Sequence, residues 1–168
     1  MTSRPAYSPV VTLAPIHQLG GFTCGDPEID AFLQHRAHAE QTVRLSQVYV
    51  TANASHDVLG YFTLSPVTVR VETALLSKLG IGAVPYPQLG GYLLGRLGVH
   101  TTFQNRSVGK ALVMRAAQIA KDEAEVVGGA FLAVDPKTES LVQWYTALDF
   151  VRLSEKTRRM VLPFTAIP

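Results

Sequence analysis

The feature that most constrains this chain is an apolar strand that leads through a short polar turn into a long amphipathic helix. The strand is predicted over residues 92–100, and the helix runs from about Val108 to Glu125 before Gly128 and Gly129 end it. The first N–H groups of such a helix have no intrahelical acceptor and lie at the positive end of the helix dipole. The turn is therefore a predicted binding site for a phosphate group.

Two familiar phosphate-binding loops are excluded by the sequence. The sequence has neither the Gly-rich run ending in Lys-Ser/Thr of a P-loop nor the GxGxxG fingerprint of dinucleotide-binding folds. An ordinary turn in which Asn105 or Ser107 caps the helix explains these residues equally well when they are taken alone. The basic side chains of Arg106 and Lys110 favour an anionic ligand.

Composition and length set the class of protein. The 168 residues predict one domain over 1–168, and 47% hydrophobic with 17% charged residues is typical of a globular chain. No apolar run approaches the roughly 20 residues of a membrane span, and the first residues show no export signal. The lone Cys24 cannot form an internal disulfide, which favours the cytoplasm. A net charge of +2 permits an anionic partner without requiring nucleic acid.

The order of predicted elements indicates a mixed α/β fold. A strand and a helix are followed by a strand pair, two strand–helix units and a closing strand pair, with a long, partly helical loop over 75–91. The predicted strands are 10–13, 47–52, 58–71, 92–100, 130–135, 150–153 and 160–163, and the helices are 28–41, 108–125 and 138–147. We therefore expect a mixed, mostly antiparallel central sheet flanked by helices.

Helical spacing predicts which side chains of two helices are buried. In the first helix the predicted buried residues are Ile29, Phe32, Leu33 and Ala37, and the predicted outward residues are Gln34, His35, His38 and Gln41. In the helix after the turn the predicted buried residues are Ala111, Leu112, Ala116, Ile119 and Ala120.

A second motif lies near the end of the chain, in Trp144-Tyr145-Thr-Ala-Leu-Asp149-Phe150. Alone, Tyr145 is best interpreted as an aromatic core residue. Behind a strand–turn–helix phosphate site, however, a phenol is a plausible proton donor to a leaving group.

Together these motifs resemble the GNAT family of N-acetyltransferases. In that family an apolar strand is followed by Arg/Gln-x-x-Gly-x-Gly/Ala, and Gln104-Asn-Arg-Ser107-Val-Gly109 matches it with serine in place of the first glycine. The family's late motif, aromatic-Tyr-x-x-x-Gly-Phe, is matched with Asp149 in place of glycine. Glycine is favoured where φ is positive, and Asp enters that region more easily than most residues.

The resemblance implies a GNAT fold with acetyl-CoA as the acetyl donor and no metal. Backbone groups of Leu97, Gly98 and Val99 would bind the pantetheine arm. Tyr145 would protonate the departing CoA thiolate, although a free phenol has a pKa of about 10 and a thiol roughly 8.5. The residues implied to hold the pyrophosphate are Gln104, Asn105, Arg106, Ser107, Val108, Gly109 and Lys110.

A narrower resemblance comes from two further stretches. Phe22-Thr-Cys24-Gly-Asp-Pro-Glu-Ile-Asp-Ala-Phe-Leu33 and Leu94-Gly-Arg-Leu-Gly-Val-His100 are similar to the acetyltransferase toxins of toxin–antitoxin modules. Members of that group acetylate the α-amino group of aminoacyl-tRNA, are commonly dimeric and are neutralised by a small DNA-binding antitoxin. The resemblance therefore implies aminoacyl-tRNA, an antitoxin and a homodimer as partners of this chain, with no membrane partner.

The residues themselves leave the acceptor open. A free α-amine has a pKa near 7.7–8.0, and the ester of an aminoacyl-tRNA lowers it further, whereas a lysine would need a strong base. Arg96 and His100 are predicted acceptor-side residues, with structural roles as the alternative. The basic residues that could contact RNA are Arg36, Arg44, Arg96, Arg152, Lys156, Arg158 and Arg159. A small amine, a peptide or a protein N-terminus is the alternative acceptor, and a non-catalytic CoA-binding module is the alternative function.

Overall fold

The computed structural model describes residues 7–168, in which seven strands form one sheet in the order β1-β2-β3-β4-β5-β7-β6. The residues on which the expectation of no export signal rests lie mostly outside this range. The strands are β1 Val11–Thr12, β2 Gln47–Ala52, β3 Val58–Arg70, β4 Gln88–Val99, β5 Phe131–Val134, β6 Val151–Arg152 and β7 Met160–Pro163. The helices are α1 Pro27–His35, α2 Ala37–Thr42, α3 Thr73–Lys78, α4 Val108–Val127 and α5 Glu139–Thr146, with 3-10 turns at Thr101–Phe103 and Phe164–Ala166.

The sheet is mixed. β1, β2 and β3 pair antiparallel, as do β5, β7 and β6. β4 and β5 pair in parallel, with Tyr92 opposite Leu132 and Leu94 opposite Val134. The predicted α/β fold, with a mostly antiparallel central sheet flanked by helices, is confirmed.

The chain divides into two compact units, each with its own core. The first contains the described residues up to Leu64 together with Arg96–Arg115. Its core packs β2 and the start of β3 against α1, with side chains such as Leu33, Val50 and Tyr61 fully buried. The Tyr61 hydroxyl donates a hydrogen bond of 2.6 Å to the Ile29 carbonyl, which ties the strand to the helix.

The second unit contains Ser65–Gly95 and Ala116–Pro168. Its core includes Val69, Leu79, Phe131 and Val161. All four side chains of β5 are buried, as expected for a central strand of an α/β sheet.

The predicted helix over 28–41 is two helices. The chain leaves the helical path at Arg36, where φ is −124° and ψ −21°, and restarts as α2. Two glutamines predicted to face outward are half-buried because their amides serve the backbone. Gln34 donates to the Phe22 carbonyl, and Gln41 donates to the Leu13 carbonyl and accepts from the Val48 amide. Nothing in the local sequence marks this break.

The predicted loop over 75–91 is shorter than expected. α3 overlaps its start, in agreement with the predicted partly helical loop, but β4 begins at Gln88, so Gly90 and Gly91 lie inside a strand. A Cβ at Gly91 would lie 2.5 Å from the Phe131 ring and 2.6 Å from its carbonyl oxygen. This glycine therefore permits a close backbone approach, which sequence alone does not distinguish from a turn.

The buried face of α4 also differs in part from the prediction. Leu112, Ala116 and Ala120 are buried as expected, but Ala111 is exposed and Ile119 is half-exposed, while the neighbouring Val113 and Ala117 are buried. Among the described residues, no helix is both long and apolar enough to cross a membrane.

Candidate functional site

The C-terminal end of β4 is held closely by the first unit's core. Gly98 is buried, and a Cβ there would lie 2.7 Å from Ile29 Cγ2 and 3.2 Å from ring carbons of Phe22 and Tyr61. The amide of the next but one residue, His100, donates to the Leu59 carbonyl at 2.8 Å. These contacts fix the backbone path of residues 97–99, which are predicted to bind pantetheine. The segment lies beyond Leu94, the last β4 residue that pairs with β5.

The turn after β4 is shaped by two residues in the left-handed region. Asn105 has φ 63° and Ser107 has φ 59°, with the intervening Arg106 outside that region. Such alternation turns successive N–H groups toward one concave side. The Gln104 side-chain amide donates to the carbonyls of Cys24 at 2.7 Å and Val99 at 2.9 Å. The Gln104 side chain therefore positions the turn and is not directed to a ligand.

The N–H groups of this turn are poorly satisfied within the protein. Within residues 7–168, the backbone amides of residues 105–110 have no backbone acceptor at good hydrogen-bond geometry, and Ala111 is the first to have one, Ser107 at 3.1 Å. No acidic residue lies in the first turn of α4, and Lys110 is exposed there. Arg106 is exposed, with its guanidinium carbon 5.4 Å from the centroid of the Phe103 ring. Free donors, a helix N-terminus and two cations fit a pyrophosphate.

His100 has a defined local structural role. Its Nδ1 accepts from the Thr102 amide at 3.2 Å, and its Nε2 lies 3.2 Å from the Gly21 carbonyl. These contacts favour the tautomer with the proton on Nε2, which caps the 3-10 turn. The ring also borders a cavity of about 380 Å³ that Phe22, Leu59 and Phe103 help to line. Both ring nitrogens are engaged, which leaves little capacity for general-base chemistry.

The charged residue of β4 is stacked on an aromatic ring. The Arg96 guanidinium carbon lies 3.8 Å from the centroid of Phe32, and Phe32 stacks on Tyr61 at 6.2 Å. Within the described residues, Arg96 has no carboxylate at ion-pair distance. The Arg96 guanidinium therefore lies against a π-face, and its N–H donors are not taken by an acid.

Tyr145 belongs to the second unit, at the last turn of α5. Its ring is 7% exposed and packs edge-on against Trp144 at 4.9 Å and Phe150 at 5.2 Å. The hydroxyl has no hydrogen-bond partner among the described residues and is not sealed from solvent. Burial raises the pKa of Tyr145 to about 12. The phenol is therefore protonated at every physiological pH.

The end of α5 gives Asp149 the same backbone conformation as Ser107. Asp149 has φ 72°, and the amides of Leu148 and Phe150 both donate to the Tyr145 carbonyl, at 2.9 and 3.2 Å. The family's glycine at this position would adopt that conformation freely. Both departures from the glycine pattern thus keep the left-handed backbone that glycine favours.

Most of the tail cations predicted to be available for RNA are paired within the protein. Arg152 contacts Glu139 at 3.0 Å, Arg158 contacts the same carboxylate at 3.3 Å, and Arg159 holds Asp135 with two bonds of 2.7 Å. The pKa of Glu139 is lowered by its hydrogen bond to Arg152. Lys156 remains exposed. The tail is thus a weaker candidate for RNA contact than its sequence suggests.

The Phe22–Leu33 stretch, here called the Phe22–Leu33 cap, contains the start of α1 and is held by hydrogen bonds to its own side chains. Asp26 caps α1 by accepting from the Glu28 amide at 3.0 Å, and Asp30 accepts from the Cys24 amide at 2.8 Å. Thr101 donates to the Thr23 carbonyl at 2.9 Å. This cap fixes the start of α1 against the segment that leads into the turn. The sequence analysis did not identify Asp30 as the acceptor of the Cys24 amide. An acidic residue in the first turn of α1 was the feature that could have indicated it.

Among residues 7–168, no group of three or more His, Cys, Asp or Glu side chains is placed to hold a metal ion. Cys24 is half-buried, and burial is the main reason that its pKa rises to about 11.

Comparison with known proteins gives the family. The model of the acetyltransferase (GNAT) family matches residues 21–150. Among solved structures, AtaT complexed with acetyl-methionyl-tRNAfMet is similar with a TM-score of 0.85 and 22% identity, covering 96% of each chain. A tyrosine-to-phenylalanine mutant of KacT has a TM-score of 0.87 and 21% identity, covering 97% of this chain and 98% of that one. A mutant AtaT toxin bound to the C-terminus of the antitoxin AtaR and acetyl-CoA has a TM-score of 0.80 and 20% identity, covering 97% and 96%.

Proposed function

Since this chain belongs to the GNAT family and is an acetyl-CoA-dependent N-acetyltransferase, we propose that its acceptor is the α-amino group of an aminoacyl-tRNA. The observation that carries this proposal is the likeness, over 96% of both chains, to AtaT complexed with acetyl-methionyl-tRNAfMet. The Phe22–Leu33 cap and the Leu94–His100 strand, which resemble the toxin acetyltransferases in sequence, support it.

The donor is held mainly by backbone. In this proposal the amides of residues 105–110 bind the pyrophosphate. The backbone of residues 97–99 bonds to the pantetheine arm, which lies alongside it as a neighbouring strand would. Arg106 and Lys110 supply charge at the mouth of the turn, and Gln104 holds the turn against Val99. The absence of carboxylates in the first turn of α4 supports this arrangement, because an acid there would repel the phosphates.

In the transfer, the neutral amine attacks the thioester carbonyl, the new C–N bond forms and the C–S bond breaks. The amine proton leaves to water, and the sulfur takes a proton from the Tyr145 phenol, which is restored from solvent. With the pKa of Tyr145 near 12 and a thiol near 8.5, full transfer is uphill by roughly 5 kcal/mol. Tyr145 therefore acts best by donating a hydrogen bond to sulfur as negative charge develops there.

No strong base is needed for an aminoacyl ester. Its α-amine is largely neutral near pH 7.5, because the free-amine pKa of 7.7–8.0 is lowered by the ester. His100, with both ring nitrogens engaged, supports a mechanism in which water carries the proton away. Arg96 and His100 are retained as acceptor-side residues in this proposal, the first as a cation and the second as a shaping group.

The direct test is product formation. Purified protein, acetyl-CoA and a pool of charged tRNA should yield N-acetyl-aminoacyl-tRNA, detected by mass spectrometry of the 3′-terminal nucleoside after nuclease digestion. Deacylated tRNA is the matched control and should give no acetylated product. Absence of the product for every isoacceptor, with acetyl-CoA bound normally, would overturn the proposal.

One observation favours a second acceptor class. Because Arg152, Arg158 and Arg159 are paired with Glu139 and Asp135, the tail offers little free charge to RNA. A small amine, a peptide or a protein N-terminus would not need that charge. Salt separates the two classes, since KM for an RNA acceptor rises steeply with ionic strength and KM for a small amine does not.

The partners follow from the same likeness. AtaT is seen bound to the C-terminus of the antitoxin AtaR, and we propose that this chain is likewise neutralised by a small antitoxin and acts in the cytoplasm. A homodimer is part of the proposal. Sedimentation at micromolar concentration should give twice the 18.2 kDa chain mass, and a species of chain mass at all concentrations would contradict it.

A further inference from the structure

Two arginines from different elements converge on one buried ring in the first unit. Arg96 of β4 lies 3.8 Å from the centroid of Phe32, and Arg36, which joins α1 to α2, lies 5.3 Å from the same centroid. The two guanidinium carbons are therefore at most about 9 Å apart. Like charges do not gather in this way without a reason, because they repel each other.

The platform beneath these cations is rigid. Phe32 is 1% exposed and stacks on Tyr61 with an interplanar angle of 15°. Tyr61 is itself fully buried and fixed by its hydrogen bond to the Ile29 carbonyl at 2.6 Å. A guanidinium that stacks on such a ring keeps its planar edge, and so its N–H donors, directed away from the ring face.

Little acid neutralises this pair. Glu40 contacts Arg36 through a single distance of 3.9 Å, and Arg96 has no ion pair within residues 7–168. The tail arginines differ, because each of them reaches a carboxylate at 2.7–3.3 Å. The side chain of Arg36 is 57% exposed and that of Arg96 is half-buried, so a ligand can reach at least one face of the cluster.

We propose that Arg36 and Arg96, whose guanidinium groups lie over Phe32, form a phosphate subsite that binds the sugar–phosphate backbone of the acceptor RNA. This inference rests on the proposed function, because the phosphate assigned to the subsite belongs to a nucleic acid acceptor. The other phosphate source in the reaction is CoA, whose pyrophosphate already has its proposed site in the amides of residues 105–110. The two sources are separated below by measuring RNA and acetyl-CoA independently.

The first experiment measures binding without catalysis. The full chain is titrated against fluorescein-labelled deacylated tRNA by anisotropy across a salt series. Arg36→Met and Arg96→Met should each raise Kd about 5- to 10-fold and lower the slope of log Kd against log salt by about 0.9. Arg70→Met, at an exposed arginine at the end of β3 in the other unit, removes the same charge and should change Kd less than twofold.

Two further variants guard against a folding artefact. Arg96→Lys keeps the charge but loses the planar fork, so it should recover part of the affinity lost in Arg96→Met. Arg36→Met alters a mostly exposed side chain and should keep the melting temperature of the parent. Loss of RNA affinity in Arg36→Met at unchanged stability supports the subsite, and Kd values for Arg36→Met and Arg96→Met equal to that of Arg70→Met overturn it.

KM for acetyl-CoA identifies the source of the phosphate. It should stay within twofold of the parent in Arg36→Met and Arg96→Met, and a rise in it at unchanged RNA affinity would assign the cluster to CoA and overturn the subsite. The outcome is also independent of the proposed acceptor reaction. If charged tRNA is never acetylated yet Arg36→Met and Arg96→Met lose RNA affinity, the subsite stands and the acceptor proposal fails. If charged tRNA is acetylated and both variants bind RNA as Arg70→Met does, the acceptor proposal stands and the subsite fails.

Discussion

The turn before α4 and the turn after α5 share an unusual backbone feature and use it in opposite ways. Ser107 and Asp149 both have positive φ, 59° and 72°, where the family has glycine. Around Asp149 the amides of Leu148, Asp149 and Phe150 all donate to carbonyls of α5. Within the described residues, the amides of 105–110 around Ser107 have no backbone acceptor at good hydrogen-bond geometry.

The difference shows how each turn contributes to a site. The α5 turn is internally satisfied, so its function depends on the one side chain it presents, Tyr145. The α4 turn leaves its backbone donors free, so its function depends on backbone shape and much less on any single side chain. Loss of the Tyr145 hydroxyl alone should therefore be severe, whereas the α4 turn should respond only when its backbone path is disturbed.

Removing the Tyr145 hydroxyl should have the largest effect. Tyr145→Phe keeps the buried ring against Trp144 and Phe150, so the fold and KM for acetyl-CoA should be nearly unchanged, while kcat falls about 10²- to 10⁴-fold with loss of the acid. Steady-state kinetics measure this split. Tyr92→Phe is the matched control, since its hydroxyl bonds the Gly128 carbonyl at 2.8 Å. Equal kcat losses in both variants would remove Tyr145 from the reaction.

Changing the backbone preference at Ser107 should have the next largest effect. A β-branched residue at φ 59° is strongly disfavoured, so Ser107→Val should distort the turn and raise KM for acetyl-CoA about tenfold or more. Ser107→Gly fits the conformation and should leave KM within twofold. If Ser107→Gly and Ser107→Ala both weaken acetyl-CoA binding as much as Ser107→Val does, the serine hydroxyl and not the backbone is the ligand.

The raised pKa of Tyr145 predicts a loss of stability at high pH. As pH rises past 10, the phenol ionises first in the unfolded chain, so the folded protein holds more protons between pH 10 and about 12. The free energy of unfolding should fall through that window by roughly 1 kcal/mol per pH unit from this group. Burial raises the pKa of Tyr61 as well, which adds to the loss. Urea unfolding at pH 8, 9.5 and 11 measures it.

The same measurement on Tyr145→Phe tests the assignment. That variant should lose less stability between pH 9.5 and 11 than the parent. The raised pKa of Tyr145 also predicts how activity depends on pH. Between pH 8 and 10, kcat of the parent should not fall through ionisation of Tyr145. A falling limb with a midpoint near 9 that persists in Tyr92→Phe would mean that the Tyr145 phenol is more acidic than its burial implies.

The sequence predicted what local periodicity and turn chemistry determine. The strand–turn–helix over 92–125, the left-handed tendency at Asp149 and the burial of Phe32 and Leu33 all depend on near neighbours. The left-handed conformation of Ser107 is a finding of the structure, because serine alone does not predict it. Pairings between distant segments were beyond its reach. Arg159 donates a hydrogen bond to Asp135, which lies 24 residues earlier in the chain. Arg96 of β4 lies over the ring of Phe32, which belongs to α1. Gly91 was interpreted as a loop residue because the Phe131 ring that excludes its side chain is not visible in the sequence.

The smallest expected effect is at Asp149, where the two turns can be compared most directly. Asp149→Gly relieves a non-glycine residue at φ 72° and should raise the free energy of unfolding by about 0.5–1 kcal/mol, without changing kcat. Asp149→Ala should lower it by a similar amount, since alanine lacks the short polar side chain that eases this conformation. Denaturant unfolding gives both values. Because the amides around Asp149 are already satisfied, neither variant should alter KM for acetyl-CoA, whereas a changed KM would show that this turn, like the one at Ser107, contributes backbone to the donor.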